Sequence, residues 1–401
     1  MSPNAIEEYA DALRSRYRSA SVVEKGRILD EFCATTGYHR KSAIRLLGRT
    51  SRPSSRKKRG RPPVYVGGEF TSALLLIWKA SGHICSKYLP SAMPALIGQL
   101  EKHEGLALGS DVRSKLLSMS GATADRLLRP HRQTRLPRRT ISRRVVSDVR
   151  KKIERHTFAQ LRALPLGHVE VDLVLHSGMT TKGFYLTTLT TVEITTSWTI
   201  CIPVWGKNKG RVGGAVARLQ RQAPYPLLGI HSDNGSEFIN DTLYQFCQRY
   251  DLAFTSGRAR HPNDQPRVEQ RNGSVPRQLI GYARYATKEA MEQMDKVYSL
   301  ACLHANFFKP TAKLLRVDRH GARDSKYYDT PQTPYQRLLA SGQLSDVQCH
   351  ALLEQFSQLN PLQLQRDLET ALDALWLMEA VDPASERMDR LSQAAKEASA
   401  R

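Results

Sequence analysis

Between Pro165 and Pro266 the apolar pattern changes period repeatedly, and this alternation constrains the fold more than any other feature of the chain. His168-Val-Glu-Val-Asp-Leu-Val-Leu-His has the two-residue period of a strand, Phe184 to Glu193 is rich in Thr, Leu and Val, and Trp198-Thr-Ile-Cys-Ile-Pro-Val reads as a third strand. A helix is expected over about 208 to 222, then a short buried strand in Leu227 to Asp233, ending at Asn234-Gly235. A helix from Asp241 to Tyr250, a strand from Leu252 to Thr255 and a last helix beginning near Pro266 complete the run. Three strands, helix, strand, helix, strand, helix predict an α/β core in which helices cover a mixed five-stranded sheet.

Charge narrows the partner. Sixty Lys and Arg against 38 Asp and Glu leave the 401-residue chain with a formal charge of +22. A compact fold carrying that charge repels itself unless a polyanion offsets it, so nucleic acid is the expected partner. No stretch approaches the roughly 20 apolar residues of a bilayer span, and the N-terminus lacks the basic-then-apolar pattern of an export signal. A cytoplasmic location without membrane contact is therefore expected. The six cysteines are scattered and form no Cys-x-x-Cys pair, so they are read as small buried hydrophobes and not as a zinc site or a disulfide framework.

The region before the core is basic and helical. Residues 24–35 place Ile28, Leu29 and Phe32 on one helical face before a Thr36-Gly37 break. A second helix over 39–47 sets Ala43, Ile44 and Leu47 apart from Arg40, Lys41 and Arg45, with Arg49 beyond. Such a pair, the second member basic, is either a helix-turn-helix that lays a helix in the major groove or an ordinary helical hairpin. A similar layout recurs at 111–129. Between the two, Ser51 to Pro63 carries Lys57, Lys58, Arg59 and Arg61 and has almost nothing to bury, which predicts an extended linker that enters a minor groove or stays solvated. From Arg126 to Arg155 basic residues recur, Arg138 and Arg139 among them, as a strip suited to a DNA backbone ahead of a helix near 145–158. The expected domains are a helix-turn-helix domain at 1–50, a linker at 51–66 and a second helical domain at 67–130. A basic connector at 131–160, the α/β core at 161–310 and a helical C-terminal region at 311–401 follow. In that last region Leu352, Leu353, Phe356, Leu359, Leu368, Leu372, Leu375 and Trp376 recur at helical spacing around Asn360-Pro361, as core packing or as an oligomer contact.

The order of elements in the core matches the ribonuclease H-like fold, and three stretches carry a family resemblance. Val169-Glu-Val-Asp-Leu-Val, Ser232-Asp-Asn-Gly-Ser-Glu-Phe and Asn263-Asp-Gln-Pro-Arg-Val-Glu-Gln-Arg-Asn resemble the acidic motifs of bacterial insertion-sequence transposases with a retroviral-integrase-like catalytic core. The likeness is strongest from about 165 to 285 and weaker through Ala305-Asn-Phe-Phe-Lys-Pro and Tyr328 to Leu339. Thirty-five residues separate Asp233 from Glu269, the spacing of the family's Asp, Asp, Glu signature. The resemblance implies that Asp172, Asp233 and Glu269 are catalytic and hold two Mg²⁺ ions, for which Mn²⁺ can substitute. It implies that Gln265 touches the substrate strand, with Asn234, Arg267 and Asn272 nearby. Element ends and target as double-stranded DNA, a homo-oligomer on that DNA and association with a prokaryotic nucleoid are implied as well, with a helper protein left open.

The chemistry is consistent with those residue types. Two hard cations about 4 Å apart clamp the entering and leaving oxygens of an in-line phosphodiester displacement, and carboxylates suit them. Three carboxylates brought together without metal would repel one another and partly protonate. Local rivals exist. Glu170 shares a strand face with Asp172, so spacing does not choose between them and only the resemblance favours Asp172. Glu237 is expected to begin the following helix. Arg267 and Arg271 lie on another helix side and either touch phosphates or are solvated. Pro266 fits if it opens a helix, whereas Pro276 with Gly273 predicts a kink after Asn272. Two other functions fit less of the sequence: a domesticated sequence-specific regulator with an inactive core, and a two-metal nuclease.

Overall fold

The computed structural model describes residues 1–49, 64–132, 154–155, 164–232, 237–256, 271, 273–320 and 323–380. The chain divides into two compact units, Met1–Val64 and Tyr65–Arg401.

The first unit contains α1 (Pro3–Ser19), α2 (Val22–Thr36) and α3 (Arg40–Leu47). Ile6, Ala10 and Tyr17 of α1 bury against Ile28, Leu29 and Phe32 of α2 and against Ala43 and Leu47 of α3. Phe32 is fully enclosed, and Tyr9 stacks on it with centroids 5.5 Å apart. Ser21 and Glu24 form a reciprocal cap that starts α2, and Gly37 ends it at φ 72°, a left-handed conformation a side chain would resist. His39 then accepts from the Lys41 amide to begin α3. Ile44, expected to face inward, is 44% exposed. Ala43 and Leu47, four residues apart, already fill the inner stripe, and Ile44 lies about 100° further round the helix.

The second unit opens with α4 (Gly68–Ala80), α5 (Leu89–Glu104), α6 (Ser110–Ser118) and α7 (Gly121–Leu128). It continues through β1 (Glu154–Arg155), β2 (His168–Leu175), β3 (Thr187–Glu193), β4 (Thr199–Val204) and α8 (Lys209–Gln222). β5 (Gly229–Ser232), α9 (Glu237–Arg249), β6 (Ala253–Ser256), a π-helical segment at Gly273–Ile280 and α10 (Lys288–Phe308) follow. Last come β7 (Leu314–His320), β8 (Arg323–Tyr328), α11 (Pro334–Ala340), α12 (Asp346–Gln358) and α13 (Pro361–Trp376).

The main sheet has the order β1-β6-β5-β2-β3-β4. β2, β3 and β4 form an antiparallel meander, while β5 runs parallel to β2 and β6 parallel to β5. Strands β2 to β6 are thus the five-stranded mixed sheet of the ribonuclease H-like fold. Every residue of β3 and β4 is buried, as expected where α8 and α10 both pack on β4. At 154–155, where a helix was expected, the chain is extended and pairs in parallel with Thr255 and Ser256, supplying partners to the open edge of β6. The Pro276 segment is π-helical. Pro276 cannot donate an amide hydrogen bond, and a widened turn is one way a helix accommodates that loss.

Helices α4 to α7 and the sheet share one hydrophobic core, in which Phe70, Ile77, Leu96 and Leu116 join Val169, Ile202 and Phe307. α13 packs on α4, α5 and α10. Lys102 donates to the Ser357 carbonyl at 2.7 Å and Asn360 to Glu104 at 2.6 Å. The C-terminal region is not wholly helical, since β7 and β8 form an antiparallel hairpin built with Val317, Tyr327 and Tyr328, residue types that favour strands. Only Cys201 and Cys247 are fully buried; Cys85 is exposed, and Cys33, Cys302 and Cys349 are partly covered. Among the described residues no helix is long and apolar enough to cross a membrane.

Two enclosed histidines make stability depend on pH. His304 sits on α10 with Nε2 2.7 Å from the Ala80 carbonyl, and burial lowers its pKa to about 3. Burial lowers His176 to about 3 as well. Between the unfolded value near 6.5 and the folded value, the unfolded chain binds more protons. The contribution is therefore complete above pH 6.5 and is lost as pH falls toward 3, at roughly 1 kcal/mol per pH unit for each histidine. His304→Gln keeps a donor for Ala80 and removes one titration. Urea unfolding between pH 7 and pH 5 should show a shallower loss of stability in this variant than in the parent, and equal slopes would contradict that coupling.

Candidate active site

β2 carries Glu170 and Asp172 on one face, two residues apart. Their surroundings differ: Glu170 is fully enclosed, whereas Asp172 is only partly buried. Asp172 Oδ1 accepts from the Leu173 amide at 2.7 Å. In the sheet Asp172 lies opposite Thr190 of β3, and its neighbour Val171 lies opposite Ser232, the last residue of β5. The end of β5 is thus level with the half of β2 that carries Asp172, because parallel pairing fixes the two strands in register.

Past Asp172 the strand end is held by side chains that the sequence did not advertise. Arg277, on the π-helical segment, donates to the Leu175 carbonyl at 3.1 Å and lies 4.6 Å from the Tyr282 ring centroid. Burial pulls its guanidinium below the usual arginine range, opposed by Tyr282, Tyr298 and Asp172. Arg277 is therefore near enough to Asp172 to feel its charge. His176 Nε2 is 2.8 Å from Thr188 Oγ1, which is 2.8 Å from the Tyr298 hydroxyl, all buried. The same burial keeps the Tyr298 phenol protonated, and this chain joins β2, β3 and α10.

The loop from Ser177 to Leu186 is gathered by Arg284. Its guanidinium donates to the carbonyls of Ser177, Thr180, Lys182 and Phe184 at 2.6–3.1 Å, and the residue is 5% exposed. Asn306 acts similarly on β4, accepting from the Thr199 amide and donating to its carbonyl, both at 2.9 Å. Nothing in residue spacing could have revealed Arg277 or Arg284, because each role depends on backbone atoms about a hundred positions earlier in the chain.

Of the sequence candidates, Asp172, Arg40, Lys41, Arg45 and Arg49 fall within the described residues. Asp233, Asn234, Gln265, Arg267, Glu269 and Asn272 lie outside them, as do Lys57, Lys58, Arg59, Arg61, Arg138 and Arg139. Lys41, Arg45 and Arg49 are exposed, and Arg40 is exposed while paired with Asp30. Glu237 begins α9, as expected. Arg271 departs from both of its expected roles: it is 8% exposed, with Cys201 and Cys302 among its electrostatic neighbours, and so is turned into the protein and away from solvent. Among the described residues no three His, Cys, Asp or Glu side chains are grouped as a metal site would require.

Comparison with known proteins fits this sheet. The integrase core domain model matches residues 162–262. Over 339 residues the chain is 40% identical to "Uncharacterized protein y4rM" of Sinorhizobium fredii, an alignment covering 82% of this chain and 94% of that one. The chain is an integrase core domain protein. The matched span of the integrase core contains β2 to β6, hence Asp172 and the end of β5. Among solved structures, the catalytic core domain of BIV integrase is similar, at 18% identity and a TM-score of 0.29, over 44% of this chain and 95% of that one.

Proposed function

We propose that this integrase core protein is a DNA transposase that binds the terminal repeats of a mobile element and catalyses strand cleavage and strand transfer. The observation that carries the reading is the pairing of β2 with β5. It sets the partly exposed Asp172 beside the strand whose last residue is Ser232, and Asp233 is the next residue in the sequence. Glu269, the third carboxylate of the assignment, precedes the buried Arg271 by two positions. The partly exposed Asp172 is favoured over Glu170 as the ligand of the pair, since Glu170 is fully enclosed.

Oxygen donors of this kind fit a hard divalent cation, so Asp172, Asp233 and Glu269 would hold Mg²⁺, or Mn²⁺ in its place. When bound, such ions neutralise charge on the reacting phosphate and lower the pKa of a water nucleophile. The chain's own residues supply position. Arg277 braces the end of β2 and places positive charge close to Asp172, and the His176, Thr188 and Tyr298 chain ties the end of β2 to β3 and α10. Gln265, Asn234, Arg267 and Asn272 are assigned to the substrate strand.

In the first unit, α2 and α3 are joined by the short connection Gly37-Tyr38-His39, an arrangement that supports a helix-turn-helix reading. The outer side of α3 exposes Lys41, Ile44 and Arg45. Cations there suit phosphates and base edges, and an exposed isoleucine suits a thymine methyl group. This supports recognition of the element's ends by the first unit, with a second copy completing the assembly that pairs two ends.

The reading is tested by incubating purified protein with labelled element ends, a plasmid target and Mg²⁺. Joined products are expected. Cut but unjoined ends would assign a nuclease, and a mobility shift without any broken phosphodiester would assign a regulator.

A further inference from the structure

The hairpin β7–β8 is tied down at its root by a set of hydrogen bonds. At its root Asp329 accepts from the Lys313 amide at 2.6 Å and from Arg337 at 2.7 Å. Thr311 and Gln332 exchange backbone hydrogen bonds at 2.9 and 3.2 Å, and Arg337 also donates to the Thr311 carbonyl at 2.8 Å. Beyond that root most of the described side chains are open to solvent. Leu315 is 53% exposed, Val317 37%, Tyr327 44% and Tyr328 47%, and Arg316, Ser325 and Lys326 are exposed too. A two-stranded hairpin is marginal by itself in water, so one whose described side chains between Leu315 and Val317 and between Asp324 and Tyr328 are all exposed is best explained by a partner.

Chemistry selects the partner. Lys313, Arg316, Arg319, Arg323 and Lys326 outnumber Asp318 and Asp324 along the arm. Arg316 lies 4.3 Å from the Tyr327 centroid and Lys87 lies 5.2 Å from that of Tyr328, so aromatic surface is laced with cations. A second copy of the chain would have to meet this basic arm with a basic surface or pair along its edge. Edge pairing is opposed by the irregularity between Leu314 and Arg316 and by the charged residues that follow it, the usual devices against strand addition. Duplex DNA has the opposite charge, and a two-stranded ribbon fits its major groove, about 12 Å wide.

We infer that the β7–β8 hairpin is a DNA-contacting arm that inserts into, or lies along, the groove of duplex DNA and grips its phosphates. The inference rests on the transposase reading and adds a second contact surface, apart from α3 and from the carboxylates.

The test uses the full chain with Arg316, Arg319, Arg323 and Lys326 changed to Ala and the aromatic residues kept. Binding of a fluorescein-labelled 30-base-pair duplex is followed by anisotropy at several salt concentrations, with melting midpoint and mass by light scattering as controls. The variant should bind at least about tenfold more weakly near 0.1 M salt. Its log affinity should depend less steeply on log salt, by about 0.9 for each phosphate that the arm no longer neutralises. Fold and mass should be unchanged. Equal affinity and equal slope in parent and variant would overturn the inference while leaving the transposase reading intact. A changed mass in the absence of DNA would assign the arm to a second copy and overturn it as well. A parent chain that binds no duplex would sink both readings.

Discussion

Asp172→Asn is expected to leave melting and terminal-repeat affinity almost unchanged while lowering strand transfer by about a thousandfold or more. The magnitude follows from the several kcal/mol of charge stabilisation that metal-ligand carboxylates support, with about 1.4 kcal/mol for each factor of ten. The fold should survive because Asp172 is partly exposed and its contact with the Leu173 amide needs only an acceptor oxygen, which Asn retains. Glu170→Gln provides the contrast. Glu170 is fully enclosed, so its substitution should lower the melting midpoint and reduce every activity together. Joining assays and thermal melts on the two variants separate chemistry from folding. If Asp172→Asn joins DNA at the parental rate, Asp172 holds no metal in the reaction and the transposase mechanism fails.

The largest stability loss is expected from Arg284→Met. Methionine fills much of the same volume, but the carbonyls of Ser177, Thr180, Lys182 and Phe184 lose their shared donor inside the protein. Removing one partner from buried polar groups costs more than the hydrogen bonds were worth, because the survivors are left unsolvated. Relaxation of the loop into water offsets part of the cost, leaving about 3–5 kcal/mol. The melting midpoint should fall by roughly 10 °C. Arg284→Lys, with a single ammonium for four acceptors, should recover only a fraction. A shift below 2 °C for Arg284→Met would mean that the loop does not depend on this guanidinium. Because the loop directly follows β2, residual strand transfer should fall further than residual DNA binding.

The strands of the core were legible because burial on one or both faces imposes a two-residue period or an apolar run, and His168 to Leu175, Thr187 to Glu193 and Thr199 to Val204 carry both signals. The helix pair at 22–47 was legible through its breaker at Gly37. Helix α1 was missed although Ser2, Pro3 and the spacing Ile6, Ala10, Leu13, Tyr17 encode it; the charges between them had masked the stripe. The hairpin at 314–328 was missed for a different reason. Its residues alternate no apolar face, so neither helical nor strand period dominates. Arg271 was misjudged because a cation's burial depends on distant residues such as Cys201 and Cys302, which local pattern does not reveal. Asp172 was chosen over Glu170 by family likeness alone, and the difference in solvent access between them is a property of the folded sheet.

The dependence of α4 and α5 on α13 has a bearing on synthesis. Glu104 meets Asn360 across 256 positions of chain, and Lys102 meets Ser357 across 255. A ribosome making this protein must release nearly all of it before those early helices find their last packing surface. Nascent chains interrupted ahead of α13 would therefore keep apolar helix faces uncovered, so quality control in the cell would meet a sticky fragment in place of a shortened but folded protein.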